Sequence, residues 1–271
     1  KLRVLVLTGY DNFEYARRCE RQNLSYIHIQ YCTAVLFSLI DFREAMRSAD
    51  RIVNFIKKEK IDLLHSVQLN IGAEYAARKL GLPHLMNIYQ QPEWEFRVCP
   101  GNIYPLYHLC DSLLYSRLWS ENLGIASRCV RPVALLDSTK TKESYSGAKL
   151  KILMLGELCE RKNQMAAIQA VEQCRSIGAV VELYIAGRVD NDYAEKCRMY
   201  VRKKKLDRFI TFCGFISDIT YFLNVCDCLL CTSNDESFPL SIVEALTYDL
   251  TIISTPVAGV PELFSDEENA F

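Results

Sequence analysis

Short apolar runs alternate with amphipathic stretches along the whole chain. Leu2–Leu7 is apolar without a two-residue alternation, the pattern of a parallel strand covered on both faces. Tyr26–Gln30, Ile61–His65, His84–Ile88, Ser112–Tyr115 and Arg128–Val133 read as further strands. Between them, Phe42–Lys58 carries Ala45, Met46, Ala49, Ile52, Val53 and Ile56 at helical spacing. Ile71–Leu80 reads as a second helix, stopped by Gly81 and Pro83.

The rhythm breaks over Leu135–Lys149, where Asp137-Ser138-Thr139-Lys140-Thr141-Lys142-Glu143-Ser144 is polar and aperiodic, as a linker is. A second series follows. Lys151–Leu155, Val180–Ala186, Ile210–Cys213, Val225–Thr232 and Thr251–Ser254 read as strands. Gln164–Ile177, Asp192–Lys205, Ile219–Asn224 and Leu240–Thr247 read as the helices between them. Two runs of alternating strand and helix predict two doubly wound α/β domains, 1–137 and 150–271, joined by a linker over 138–149. Ligands in such sheets bind beyond the carboxyl ends of the strands, so chemistry is expected in those loops.

At 271 residues, half of them hydrophobic, the chain has enough material for two buried cores, which excludes a disordered tail or a disulfide miniprotein. Its net charge of −1 argues against a nucleic-acid coat. The total hides an asymmetry: residues 1–148 carry 19 Lys and Arg against 15 Asp and Glu, and residues 149–271 carry 13 against 18. Twelve cysteines lie mostly inside apolar runs and read as reduced core thiols of a cytoplasmic protein. Cys228 and Cys231 form a CxxC, but a strand would send the two side chains to opposite faces, so no metal is expected there. Neither a signal peptide nor a spanning segment is evident. The chain starts without Met and stops at Asn269-Ala270-Phe271 in what reads as the middle of an element, which suggests a fragment.

The most informative stretch is Thr232-Ser233-Asn234-Asp235-Glu236-Ser237-Phe238-Pro239-Leu240-Ser241-Ile242-Val243-Glu244-Ala245. A buried strand runs into a polar loop carrying Glu236, and Pro239 stands where a helix can begin. Free N–H groups at that helix start suit a phosphate. Glu244, about one turn inside, suits a pair of vicinal hydroxyls. Read from residues alone, the stretch fits either that diphosphate-and-diol site or a solvated loop acid followed by a helix-dipole acid.

Glu236 and Glu244 within this motif, followed by Ser254-Thr255-Pro256-Val257-Ala258-Gly259-Val260-Pro261-Glu262-Leu263, resemble the donor-site signature of family 4 retaining glycosyltransferases. The resemblance implies the GT-B fold: two Rossmann-like parallel-sheet domains facing across a cleft, with the C-terminal domain, incomplete here, binding a nucleotide-sugar donor. It also implies transfer to a hydroxyl acceptor on a saccharide or lipid-linked sugar, with no metal or other cofactor. Glu236 would touch the donor sugar and Glu244 the ribose. The backbone around Ser237, Phe238, Pro239, Leu240 and Ser241 would face the diphosphate and sugar. Glu262 matches a less specific position.

Leu155-Gly156-Glu157-Leu158-Cys159-Glu160-Arg161-Lys162-Asn163 is similar to the family's phosphate loop. Gly156 would admit the phosphates, and Lys162 would neutralise the departing diphosphate. Where the family often has Arg after that glycine, this chain has Glu157, and Arg161 is the nearest replacement charge. Tyr184-Ile185-Ala186-Gly187 and Phe212-Cys213-Gly214-Phe215-Ile216 resemble strands that line the base pocket, with Gly214, Phe215 and Ile216 expected near the base.

The first half resembles the family less. Thr8-Gly9-Tyr10-Asp11-Asn12 carries a single Gly, and Asn87-Ile88-Tyr89-Gln90-Gln91 lacks the His often found there, which leaves His65 as an alternative cleft residue. Arg43, Arg47 and Arg51 form a basic stripe, and Arg17, Arg18 and Arg21 a cluster. Each is either a solvated face or a contact for an anionic membrane or an acidic acceptor. No nucleic-acid partner is expected.

Overall fold

The computed structural model describes residues 5–8, 17, 20–21, 25–28, 39–67, 71–88, 107–124, 126–134 and 149–264. The chain divides into two compact units, Lys1–Val130 and Arg131–Phe271. Of the expected linker over 138–149, only Lys149 is among the described residues, and the stretches 9–12 and 89–91 also lie outside them.

In the first unit, β1 (Leu5–Thr8) pairs in parallel with β2 (Ser25–His28). A second parallel sheet runs β3 (Leu64–Val67), β4 (His84–Ile88), β5 (Tyr107–Cys110), β6 (Ala126–Cys129). Helix α1 (Leu39–Glu59) buries Ala49, Ile52, Val53 and Ile56, at helical spacing, against Ala73 and Ala76 of α2 (Ile71–Leu80). A buried polar chain ties α2 to the sheet. His84 Nδ1 lies 2.7 Å from Glu74 Oε2, His84 Nε2 lies 2.8 Å from Ser66 Oγ, and Arg78 Nε donates to Glu74 Oε1 at 2.7 Å. His65, by contrast, is exposed, with Nε2 2.9 Å from Asn87 Oδ1.

One expected strand is corrected. Ser112 does not begin a strand but caps helix α3 (Leu113–Leu123): its Oγ accepts from Tyr115 N at 3.2 Å, and Gly124 ends the helix in the left-handed region at φ 65°. The strand is Tyr107–Cys110, just before it. A short apolar run has no period of its own, and the polar Ser cap and Gly stop decide the matter. The strand expected over Arg128–Val133 likewise lies earlier, at Ala126–Cys129.

The second unit is one five-stranded parallel sheet formed by β7 (Leu150–Leu155), β8 (Val181–Ala186), β9 (Ile210–Gly214), β10 (Cys228–Cys231) and β11 (Thr251–Ser254). Its spatial order is β11-β10-β7-β8-β9. Alternation along the strands divides the core. Ile152, Met154, Leu183, Ile185 and Cys228 pack under α4 (Gln164–Ser176) and α5 (Asp192–Lys203). Leu153, Leu229 and Cys231 pack on the other face with α6 (Thr220–Val225) and α7 (Leu240–Leu246). Cys228 and Cys231 therefore enter different cores. From β7 the chain builds outward to β9, then returns to place β10 on the other side of β7. The strand order reverses between β7 and β10, the point where such sheets hold their ligands.

Candidate functional site

The loops that leave β7 and β10 are neighbours at this switch point, and they are laced together. Thr232 Oγ1 donates to Asn163 O at 2.8 Å, Asn234 N to Arg161 O at 2.8 Å, Asn234 Nδ2 to Glu160 O at 3.1 Å, and Asn163 Nδ2 to Asn234 Oδ1 at 3.2 Å. Thr255 Oγ1 donates to Ser233 O at 2.6 Å, and Gly259 N to Ser237 O at 3.0 Å. Loops held this way present side chains in a fixed arrangement.

Glu236 is the hub. It is 7% exposed, and its carboxylate takes Lys162 Nζ on Oε1 and Arg161 Nη1 on Oε2, the latter at 2.9 Å. Ser233 Oγ, fully buried, adds a third bond to Oε1 at 3.0 Å. A buried carboxylate with two cations and a hydroxyl is charge-compensated and oriented. Arg161 Nη1 also donates to Asp235 O at 3.0 Å. Burial works to lower the Arg161 pKa, but the Glu236 charge and hydrogen bond outweigh it and hold the group above its ordinary value.

Beside this cluster opens a pocket of about 460 Å³ in the second unit. Leu155, Gly156 and Glu157 form one wall, Ala186, Gly187 and Arg188 another, and Phe215 to Ile219 a third, with Glu244 reaching in from α7. Gly156 has φ +135°, a conformation closed to most side chains, and a Cβ there would stand 3.2 Å from Lys162 Cε. Lys162 thus lies directly against the pocket-lining glycine. Gly187 is placed still more tightly, because its Cβ would fall 1.8 Å from Gly156 O. Burial raises the Glu244 pKa above the ordinary carboxylate value. Asp218 is turned to its own helix, accepting from Thr220 N at 3.0 Å and Thr220 Oγ1 at 2.6 Å, which lowers its pKa.

The structure distributes the expected residues over two adjoining clusters. Gly156, Phe215, Ile216 and Glu244 line the pocket, and Gly214 ends β9 immediately before it. Lys162, Arg161 and Glu236 form the ion-pair cluster next to Gly156. Ser237, Phe238 and Pro239 follow Glu236 as buried residues, and Leu240 and Ser241 open α7. Pro239 is the cap of α7, extended at ψ 106°, one position before the helix rather than within its first turn. Glu262 pairs with Arg131, Oε2 to Nη2 at 3.4 Å. The sequence offered no separate signal for Ser233 inside its motif or for Arg188. Gly187 was visible only as a strand-ending glycine, because its need is a close approach between two backbones. Arg47 and Arg51 are exposed on α1, whereas the side chain of Arg43 lies outside the description.

A doubly wound sheet with glycine, cations and carboxylates gathered at its switch point defines a Rossmann-like unit, a fold whose ligands sit at that point. Residues 137–271, just under half of the chain, match the family described as Glycosyl transferases group 1. Among curated proteins, the chain is 22% identical over 153 residues to EpsD of Bacillus subtilis (strain 168), a match covering 56% of this chain and 40% of EpsD. It is 26% identical over 150 residues to the GPI3 subunit of the phosphatidylinositol N-acetylglucosaminyltransferase of Saccharomyces cerevisiae (strain YJM789), covering 55% of this chain and 32% of that subunit. The matched region thus spans well under half of either relative. Among solved structures, Anabaena HepE, crystallised with UDP and glucose, superposes with a TM-score of 0.77 at 17% identity, over 98% of this chain and 77% of HepE. That likeness shows the fold, GT-B with two Rossmann-like units. No described helix is long and apolar enough to cross a membrane.

Proposed function

We propose that the protein is a retaining, metal-independent hexosyltransferase of the family 4 type, which moves a sugar from a UDP- or GDP-sugar to a hydroxyl acceptor. The observation that carries this reading is the convergence of Gly156, Lys162, Glu236 and Glu244 at the switch point of the second sheet. The donor's diphosphate lies against Gly156, the ribose hydroxyls bind the Glu244 carboxylate, and the sugar meets Glu236. During transfer the bond from the anomeric carbon to the diphosphate oxygen breaks, and a bond to the acceptor oxygen forms on the same face. The acceptor proton passes to a diphosphate oxygen. Negative charge grows on the leaving diphosphate, and Lys162, 16% exposed and already against Gly156, stabilises it where solvent competes weakly. Lys162 supplies that charge without a metal, so turnover is expected to survive EDTA.

HepE was crystallised with UDP and glucose, and the name of the yeast relative describes transfer to phosphatidylinositol; both support a nucleotide donor and a saccharide or lipid-linked acceptor. Synthesis of a cell-surface polysaccharide or glycolipid, at the cytoplasmic face of a membrane, fits such an acceptor. One observation favours a second reading, a catalytically silent nucleotide-sugar-binding subunit: the acidic residue Glu157 is among those lining the pocket, where a cation would serve an anionic ligand. Donor hydrolysis separates the two. Lys162→Ala is expected to lower hydrolysis by roughly 10²–10³-fold, the cost of removing one stabilising donor. Glu244→Gln is expected to weaken the donor, and both variants should remain folded, which circular dichroism checks. Wild-type hydrolysis in both variants would sink the transferase reading. Nucleotide binding by the wild type without hydrolysis or transfer would favour the subunit.

A further inference from the structure

The pocket is rich in carboxylates. Glu157, Asp218 and Glu244 all line it, and Arg188 is the one cation among the described lining residues. A diphosphate brought beside three acids needs positive charge, since like charges a few ångströms apart repel by about 1 kcal/mol or more even in water. The neighbouring cations are partly committed: Lys162 and Arg161 both bind Glu236, and Arg161 also holds the carbonyl of Asp235.

Arg188 differs from both in having a fixed base and a free head. Its carbonyl accepts from Leu158 N at 3.0 Å, and the preceding Gly187 donates to Gly214 O at 2.8 Å while its Cα abuts the Gly156 carbonyl. The backbone at 188 is therefore locked between the Gly156 loop and the end of β9. Its guanidinium, by contrast, is exposed and has no ion-pair partner among the described residues. Phe215, Ile216 and Gly156 line the same pocket.

We infer that Arg188 binds the diphosphate of the nucleotide donor, supplying from the end of β8 the charge that Glu157 reverses in the Gly156 loop. This rests on the donor reading above. A planar guanidinium with a free fork suits two phosphate oxygens at once, and it gives charge-assisted hydrogen bonds stronger than neutral ones. The sources of specificity then divide: Phe215 and Ile216 meet the base, Glu244 the ribose, Arg188 the diphosphate, and Arg161 orients Glu236.

The test is calorimetric titration of the 271-residue protein and of Arg188→Gln with UDP, GDP and the matching nucleosides. Because the side chain is exposed, the substitution leaves the fold intact, which thermal unfolding verifies. Arg188→Gln is expected to weaken the nucleoside diphosphate at least ten-fold and to leave nucleoside affinity unchanged. The double variant Glu157→Arg/Arg188→Gln is expected to recover most of the loss. Diphosphate affinity unchanged in Arg188→Gln would overturn the inference alone, as would an equal loss for diphosphate and nucleoside. A wild type that binds neither UDP nor GDP would overturn the donor reading together with it.

Discussion

Replacing Gly187 by Ala tests how the site is built, because its penalty is steric and local. A Cβ at Gly187 would lie 1.8 Å from Gly156 O, 2.4 Å from Gly156 C and 3.0 Å from Glu157 N. Real Cβ atoms keep at least 3.0 Å from such neighbours, so the two backbones must part by about 1.2 Å. Neither can rotate aside as a side chain would. Gly156 N is bonded to Ala186 O at 2.9 Å, Leu158 N to Arg188 O at 3.0 Å, and Gly187 N to Gly214 O at 2.8 Å. Overpacking costs about 1–3 kcal/mol, and one strained or broken hydrogen bond adds about 1 kcal/mol. The sum, roughly 2–4 kcal/mol, corresponds to a fall in melting temperature of roughly 5–15 °C for a domain of this size. Because the displaced wall is the one proposed to face the donor's phosphates, a shift near 1 Å is expected to reduce donor turnover about 10²-fold in the surviving folded protein. Gly178→Ala is the control. It has φ +82° with nothing within 4 Å of the added carbon, so it is expected to cost roughly 1–2 kcal/mol of backbone strain and no donor affinity. Melting curves and UDP titrations of both variants decide the matter. A Gly187→Ala protein with wild-type melting and wild-type affinity would refute the close approach and the site built on it.

Two further predictions concern a half-buried acid, Glu244, and a buried one, Glu74. Burial raises the Glu244 pKa, so the folded chain holds that proton more tightly than the unfolded chain does. The fold is then penalised as pH rises from the unfolded value of about 4.3 through the folded pKa. Glu244→Gln should therefore melt higher than wild type at neutral pH and equally at acid pH, while donor affinity falls roughly ten-fold or more; equal melting at every pH would contradict the burial argument. Glu74 shows the opposite sign. Burial works to raise its pKa, but hydrogen bonds from His84 and Arg78 outweigh this and lower it. Its contribution is present above about pH 4.3 and is lost as pH falls through the lower folded value. Glu74→Gln breaks a buried pair, with an expected cost of about 3–5 kcal/mol to the first unit. A urea-unfolding loss below 0.5 kcal/mol, a typical surface effect, would rule that out.

Hydrophobic period alone was enough to reveal two alternating strand and helix series, and Ile71–Leu80 and Thr251–Ser254 form with the expected bounds. Those elements are long or sharply punctuated, so local chemistry settles them. The split of Cys228 from Cys231 also followed from strand geometry, since side chains three apart on a strand face opposite ways. Ser112–Tyr115 misled because four apolar-rich residues have no readable period, and the Ser112 cap outweighed the composition. The motif residues Gly156, Lys162, Glu236 and Glu244 were legible because each stands at a fixed spacing within a strand, loop and helix unit. Their partners were not. That Arg161 turns to Glu236 depends on β7 and β10 lying side by side, although 74 residues separate the partners Arg161 and Asp235. Gly187 and Arg188 meet the Gly156 loop because β8 carries them there, a contact set by sheet order and backbone approach. Sequence by itself determined which residues carry charge and which local elements they sit on. The tertiary structure decided which charges neutralise one another and which remain free, because ion pairing depends on distances that only the packed sheet defines.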